Sequence, residues 1–438
     1  MYNQQPYLSE RVETVTASPI DENALYRKVI WRLVPFLLIC YVIAYLDRIN
    51  VGFAKLQMQD ALGFSDAVYG LGAGIFFVGY FLFEVPSNLL LQKIGAKKTV
   101  TRIMVCWGVV GCMMAFVTTP IQFYVLRFLL GVFEAGFFPG IVYYLGCWFP
   151  EARRGQVLGM FMVGIPVAGL LGGPVSGWAM QSLDLVAQMQ GWQWLFIVEA
   201  LPAIALGVIA FLVLDDSIDK AAWLSNPEKR VLLDALSKDS KTHTNHAASL
   251  GQLLRSKKLY ALSFSYFAFI CGTYAVSFWL PTMLKVGGAV TPAEIGWLSA
   301  IPYTATVAVM ILLCRHSDYS SERRWHTAAP AVFGAIALSL LPAAGTNLVA
   351  VVGLLTIATA GIVSTMPLFW SLASDAYAGR PNAAAAIALI NSLGLIGGFA
   401  SPAIMGWIKS STGSLNSGLY LVTGVIILGA AAVLLSRK

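Results

Sequence analysis

The sequence repeats one feature twelve times: an apolar window of about 20 residues, the length with which a helix crosses a hydrocarbon core of about 30 Å. Of its 438 residues, 58% are hydrophobic and only 12% are charged, too few charged residues to keep so many apolar windows in water. We therefore predict an all-α membrane protein with twelve transmembrane helices. In chain order the windows are 33–54, 68–91, 100–117, 123–147, 157–180, 194–214, 259–280, 295–314, 327–343, 348–371, 383–408 and 419–435.

One long polar segment divides the windows into two sets of six. We predict a cytoplasmic tail at 1–28, an N-terminal six-helix bundle at 29–214, a cytoplasmic linker at 215–258 and a C-terminal six-helix bundle at 259–438. The tail lacks the basic-then-apolar pattern of a signal peptide, so the first helix is expected to stay as an anchor. No metal or cofactor is expected, because the six cysteines form no C-x-x-C pair and His243 and His246 have no third ligand nearby.

The basic residues follow the membrane topology. Of 29 Lys and Arg residues, Arg48 and Arg127 fall inside predicted helices, and Lys55, Lys285 and Lys409 follow odd-numbered helices. The other 24 lie in terminal segments and in loops after even-numbered helices, which is the positive-inside pattern. We expect a monomer in a bacterial inner membrane with both termini cytoplasmic. The net charge of +7 then reflects topology, and no nucleic-acid partner is expected.

The two halves resemble each other at an offset of about 226 residues. This offset predicts two bundles related by an axis along the membrane normal, with a solute cavity between them. Three matches support it: Gln92 before Lys97 and Lys98 against Asp318 before Arg323 and Arg324, Arg154 against Arg380, and GLLGG at 169–173 against GLIGG at 394–398.

Four motifs carry a family resemblance. The loop NLLLQKIGAKK at 88–98 resembles the signature loop of the major facilitator superfamily, with Gln92 in place of the usual acid. The motifs YLDRINVGFA at 45–54, RFLLGVFEAGFFPG at 127–140 and WLFIVEALP at 194–202 are similar to the anion:cation symporter branch of that superfamily. The resemblance implies the major facilitator fold and a permease for an organic anion such as tartrate, phthalate, hydroxyphenylacetate or a sugar acid.

Six ionisable residues interrupt the apolar windows, each at a cost of roughly 2.5 to 3.5 kcal/mol on insertion scales. They are Asp47, Arg48, Glu84, Arg127, Glu134 and Glu199. The summed cost of six such residues is easier to explain if some of them face an aqueous cavity. Helical periodicity places Tyr41, Tyr45 and Arg48 on one face of the first helix, and Arg127 and Glu134, seven residues apart, on one face of the fourth.

Arginine suits a carboxylate ligand because its planar fork donates two parallel, charge-assisted hydrogen bonds. We therefore predict an anionic solute bound by Arg48 and Arg127. A buried carboxyl group takes up a proton more readily than an exposed one, so Asp47 and Glu134 are candidates for proton coupling. The alternative is that these two acids only neutralise the arginines as static ion pairs. For Glu84 and Glu199 a structural or gating role is expected.

The C-terminal half offers neutral groups to the solute. Tyr274 and Trp370 are candidates for solute contact, with packing as the alternative. Tyr45 and Tyr80 of the N-terminal half are further candidates for solute contact. The resemblance adds Ser371 and Asn391 as hydrogen-bonding residues.

These observations predict a proton-coupled symporter that imports a small organic carboxylate by alternating access, with protons and that anion as its partners. The alternative is a facilitator, or a proton antiporter or exporter, of the same fold that handles a neutral or other small solute. A membrane-embedded enzyme or sensor would need a nucleophile–base pair, a metal cluster or an output domain, and the sequence shows none of these.

Overall fold

The computed structural model describes residues 21–242, 253–377 and 382–436, and over these ranges the chain is almost entirely helical. His243, His246 and Arg380 lie outside the described residues. The α-helices are, in order, α1 (Glu22–Ile49), α2 (Val51–Leu62), α3 (Asp66–Ile94), α4 (Ala96–Met113), α5 (Pro120–Glu134), α6 (Phe137–Gly146), α7 (Glu151–Met162), α8 (Gly164–Ser182), α9 (Gly191–Val213), α10 (Asn226–Thr242), α11 (Lys257–Val286), α12 (Pro292–Ser320), α13 (Arg324–Ala344), α14 (Leu348–Val363), α15 (Thr365–Tyr377), α16 (Ala383–Thr412) and α17 (Asn416–Leu435).

Twelve helical stretches in the described residues are long and apolar enough to cross a membrane, which confirms the predicted number of spans. Four of these spans each contain two helices that meet at a break: α1 with α2, α5 with α6, α7 with α8, and α14 with α15. Six spans precede the linker helix α10 and six follow it. The two sets pack against each other mainly through α8 along α12 and α3 along α16.

The two ends of the bundles differ. Helix α10 lies beside the start of α1, where Lys28 Nζ and Glu228 Oε1 are 2.8 Å apart. We call this end the linker side. The opposite end carries the short connections 63–65, 287–291 and 413–415, and we call it the loop side. Helix α1 begins at Glu22, within the segment predicted as a tail, because the Asp21 side chain caps it by accepting a hydrogen bond from the amide of Asn23.

The break between α5 and α6 follows directly from the sequence Glu134-Ala-Gly-Phe-Phe-Pro139. Gly136 adopts a φ of 84°, a left-handed conformation that glycine adopts without steric cost. Pro139 has no amide proton to donate to the carbonyl of Ala135, so the helix cannot continue through this point. Glu134 is therefore the last residue of α5.

Close helix contacts join the two bundles on the loop side. A Cβ atom on Gly173 of α8 would lie 2.4 Å from the carbonyl oxygen of Gly296 of α12, so no larger residue fits there. Six hydrogen bonds also cross between the bundles on this side. The loop side is therefore closed.

Candidate functional site

A cavity lies at the centre of the molecule, between the two bundles. It has a volume of about 90 Å³, well below the ~300 Å³ at which ligand pockets usually begin. A solute must therefore widen it by moving side chains or helices. Its wall is formed by Tyr41, Tyr45, Arg48, Phe77, Tyr80, Glu84, Phe138, Met162, Ile165, Tyr266, Ile270, Thr273, Tyr274, Val363, Met366, Trp370, Asn391 and Leu395.

Arg48 is the one cationic side chain on this wall. Its guanidinium forms an ion pair with Glu134 and donates a hydrogen bond to the Tyr274 hydroxyl at 3.0 Å. It also lies over the rings of Tyr45 and Tyr80, at 5.7 and 5.6 Å from their centres. Aromatic faces stabilise a cation without neutralising it. Arg48 therefore lies at the cavity surface with its charge paired to Glu134 and supported by aromatic faces.

Glu134 lies behind Arg48 and is almost fully buried. As the last residue of α5, its carboxylate sits at the negative end of the helix dipole, which is unfavourable for an anion. The ion pair with Arg48 offsets that cost. Glu134 therefore depends on Arg48, and any group that takes Arg48 away leaves a buried, unpaired charge.

Arg127 was predicted to bind solute, but its side chain does not line the cavity. It is fully buried, and its guanidinium donates to the carbonyl oxygens of Gly72 at 3.2 Å and Ala73 at 3.4 Å. The ring of Phe76 lies 5.2 Å from the guanidinium carbons of both Arg127 and Arg48. Arg127 thus lies on the far side of a wall helix, where it ties α5 to α3.

Asp47 and Glu199 also lie behind the cavity wall. Asp47 accepts a hydrogen bond from Asn50 at 3.0 Å and packs against Gly111 of α4. Glu199 accepts one from Ser176 at 2.6 Å. Asp47 therefore does not touch the cavity, although it lies next to Arg48 in sequence.

Six of the eight residues predicted to bind solute do line the cavity: Tyr45, Arg48, Tyr80, Tyr274, Trp370 and Asn391. The other two, Arg127 and Ser371, do not line it. The Ser371 hydroxyl donates a hydrogen bond to the carbonyl oxygen of Pro367 at 3.1 Å. The N-terminal bundle supplies both charged groups of the wall, and the C-terminal bundle supplies neutral ones.

Glu84, for which a structural or gating role was expected, lies on the cavity wall. Its Oε1 lies 3.4 Å from Nδ2 of Asn391, across the gap between the bundles. Among the described residues, no ion pair joins Glu84 to a cation. Sequence periodicity carries a signal for this position, because Glu84 lies one helical turn after Tyr80 on the same face of α3.

A second polar cluster closes the loop side, and sequence reasoning did not predict it. Asp66 Oδ1 lies 2.7 Å from Lys55 Nζ and 3.0 Å from Lys409 Nζ, so one carboxylate oxygen joins lysines of both bundles. The Lys55 ammonium also lies 3.8 Å from the centre of the Trp279 ring. We call Lys55, Asp66, Trp279 and Lys409 the loop-side gate. The sequence did contain a signal for this cluster, because Lys55 and Lys409 follow odd-numbered spans, where the positive-inside pattern disfavours lysine.

The comparisons with known proteins agree with this architecture. Residues 37–402 match the family model of the Major Facilitator Superfamily. A relative from Pseudomonas putida, named "Putative metabolite transport protein NicT", is 44% identical over 96% of this chain and 97% of its own length. One from Agrobacterium vitis, named "Putative tartrate transporter", is 43% identical over 98% and 94%. One from Acinetobacter baumannii, named "Quinolone resistance transporter", is 41% identical over 93% and 94%.

A solved structure gives the same fold. A bacterial homolog of the human lysosomal transporter Spinster, in an inward-facing and unoccupied conformation, superposes with a TM-score of 0.73 at 15% identity, over 94% of this chain and 97% of that one. The family model covers most of the chain, and the relatives named as transporters match it over nearly their whole length. This multi-pass membrane protein is a transporter, not an enzyme, and it belongs to the Major Facilitator Superfamily.

Proposed function

We propose that this transporter is a proton-coupled symporter that imports a small organic carboxylate across a bacterial inner membrane by alternating access. The observation that carries the proposal is the Arg48–Glu134 ion pair at the wall of the central cavity. The relatives named for metabolite and tartrate transport support an organic anion as solute.

Competition for Arg48 is the basis of coupling. A solute carboxylate that binds the Arg48 fork takes over hydrogen bonds that Glu134 now accepts. Glu134 would then remain as an unpaired carboxylate in a buried position, which is strongly unfavourable. Uptake of a proton by Glu134 removes this charge, so anion and proton bind together. Asp47, which is next to Arg48 in α1 but does not line the cavity, is a second proton site in this proposal.

Alternating access requires that the two sides of the cavity open in turn. By the positive-inside rule the linker side is cytoplasmic and the loop side periplasmic. The loop-side gate then closes the outer end of the pathway, and it has to separate before an external anion reaches Arg48. Each monomer contains a complete pathway of this kind, so we propose the monomer as the working unit.

Export is the second candidate function. The relative named "Quinolone resistance transporter" supports it, because resistance requires outward movement. An exporter coupled to proton entry would expel solute when the outside is acidified, whereas the proposed symporter would accumulate it.

The test uses purified protein reconstituted in liposomes, with labelled organic acids outside. Symport predicts uptake that rises as external pH falls and collapses with a protonophore. Counterflow of labelled solute without a pH gradient measures binding and exchange alone, so a comparison with proton-driven uptake isolates the coupling to protons. Uptake insensitive to both treatments would favour a facilitator, and solute efflux driven by external acid would favour the exporter.

A further inference from the structure

The central cavity has two charged ends, and their chemistry restricts the solute. Arg48 is the cation on the wall and Glu84 is the anion. Glu84 lies one helical turn, about 6 Å, further toward the linker side than Tyr80, whose ring faces Arg48. A solute whose carboxylate reaches Arg48 therefore presents its opposite end to Glu84 and Asn391.

That opposite end meets a hydrogen-bond acceptor. In the described residues, Glu84 has no cationic partner, and its hydrogen-bond contact on the wall is the amide of Asn391 at 3.4 Å. A carboxylate only accepts hydrogen bonds. A second carboxylate on the solute would face a like charge in a site of low dielectric, which is repulsive. A hydroxyl, amine or ring N–H would instead donate to Glu84.

The wall between the two ends is mainly apolar. Eight of its side chains are aromatic, five of them tyrosines, and six are aliphatic, so fourteen of eighteen offer some apolar surface to a solute. Tyr266 and Trp370 meet edge to face with ring centres 4.8 Å apart, and both rings line the cavity, so a flat ring of the solute has aromatic surface to pack against. The body of the solute between its two ends therefore meets mainly aromatic and aliphatic surface.

We infer that the solute is an aromatic monocarboxylate with a hydrogen-bond donor on the side of the ring opposite its carboxylate, and that Glu84 selects for that donor. The inference rests on the proposed function, because it takes Arg48 as the carboxylate site. It excludes dicarboxylates as preferred solutes, in contrast to the tartrate named for one relative.

The test compares three probes that share one ring and differ only in the para position: benzoate, 4-hydroxybenzoate and terephthalate. Tartrate serves as a non-aromatic dicarboxylate. Affinities are measured by calorimetry on the purified full chain and by inhibition of counterflow in liposomes. In the wild type we expect 4-hydroxybenzoate to bind about 10-fold tighter than benzoate or more, because the hydrogen bond involves a charged acceptor. Terephthalate and tartrate should bind more weakly than 4-hydroxybenzoate.

Glu84→Gln removes the charge and keeps the shape of the side chain. The ratio of the affinity for 4-hydroxybenzoate to that for terephthalate should fall by about 10-fold or more in this variant. Asn391→Asp adds a second acid at the Glu84 end of the cavity and should raise this affinity ratio. This second variant keeps the inference testable if Glu84→Gln does not fold. Asp234→Asn removes a charge from the linker helix α10, outside the cavity wall, and is the matched control. Its affinity ratios for the four acids should equal those of the wild type.

The outcomes separate the inference from the proposed function. Tighter binding of terephthalate or tartrate than of 4-hydroxybenzoate by the wild type, or unchanged ratios in both cavity variants, would overturn the inference while leaving carboxylate transport intact. No binding of any of the four acids by the wild type would overturn the proposed function, and the inference with it.

Discussion

Arg48 donates a hydrogen bond across the central cavity to the Tyr274 hydroxyl at 3.0 Å, and the two residues are 226 positions apart, the offset predicted to relate the two halves. Residues related by an internal repeat meet in this way when both lie beside the axis that relates the bundles. The contact links the cation of the N-terminal half to a neutral phenol of the C-terminal half. Under the proposed function, a solute bound at Arg48 therefore contacts both bundles.

Tyr274→Phe tests this link. The variant removes the hydroxyl that accepts from Arg48, and we expect the Kd for a bound carboxylate to rise about 5-fold, corresponding to ~1 kcal/mol for one hydrogen bond. Tyr420→Phe on the exposed surface of α17 is the matched control. Calorimetry on the purified variants measures both values. An unchanged Kd in Tyr274→Phe would remove Tyr274 from the binding site.

Glu134→Gln tests the coupling role of the acid. The amide resembles the protonated carboxyl group, so the variant should bind carboxylate and catalyse counterflow while losing proton-driven accumulation. Reconstituted variant and wild type are compared in both assays. Accumulation against a gradient by Glu134→Gln would leave the static ion pair with Arg48 as the better description.

Arg127→Lys tests whether Arg127 is structural. The sequence suggested a binding role, but the buried guanidinium donates to two backbone carbonyls of α3. Lysine keeps the charge and loses the planar fork, so we expect destabilisation of about 2 kcal/mol from lost charged hydrogen bonds. Thermal unfolding of the purified variant should show a lower midpoint. An unchanged midpoint with more than about 10-fold weaker carboxylate binding would return Arg127 to the site.

Asp66→Asn tests the loop-side gate. The change leaves Lys55 and Lys409 close together without the carboxylate that joins them, so repulsion should favour separation of the bundles on this side. Thr282, a buried neighbour of Lys55, is replaced by cysteine in a cysteine-free background to report exposure.

A membrane-impermeant maleimide applied from the loop side should label this cysteine faster in Asp66→Asn. Glu228→Gln, which breaks an ion pair on the linker side, is the control. Equal labelling rates in all three proteins would show that the Asp66 cluster does not hold the gate shut.

The docking of the linker helix should depend on pH. The Lys28 ammonium, together with Ser225, holds the pKa of Glu228 below its usual value. A depressed folded-state pKa means that the stabilisation is present above the unfolded value of about 4.3 and is lost as pH falls through the folded value. The pair is partly exposed, so its contribution is below about 1 kcal/mol.

Hydrogen exchange of α10, corrected for intrinsic rates, should therefore rise at pH 4 relative to pH 7 in the wild type. It should be elevated and insensitive to this pH change in Glu228→Gln. Equal protection of α10 in both proteins at pH 7 would contradict a role for the Lys28 contact.

The spans and one face of the site could be predicted because each depends on local sequence. Apolar windows fix the twelve crossings, and the regular turn of an unbroken helix brings Tyr41, Tyr45 and Arg48 to one wall. Helical periodicity predicts the face of the helix on which a side chain lies, but it does not predict how far from the cavity that side chain ends. Arg127 and Glu134 share a face of α5, yet Glu134 reaches Arg48 and Arg127 lies behind Phe76.

Contacts between distant segments could not be read from local patterns. Asp66 and Lys409 are 343 residues apart, and their meeting depends on how α3 packs along α16. The approach of Asn391 to Glu84 has the same origin. These contacts form only when the two bundles are placed against each other, so no window or spacing within one half contains them.

The movement of protons with solute is the most direct test of symport through the Arg48–Glu134 pair. Liposomes containing the wild type and an internal pH dye are given, without a pH gradient, the organic acid that binds most tightly, with membrane potential clamped. Proton symport through this pair predicts that adding the acid outside acidifies the interior, that a protonophore abolishes the signal, and that Glu134→Gln gives none. Solute entry with no change of internal pH, or with alkalinisation, would contradict proton symport through the Arg48–Glu134 pair.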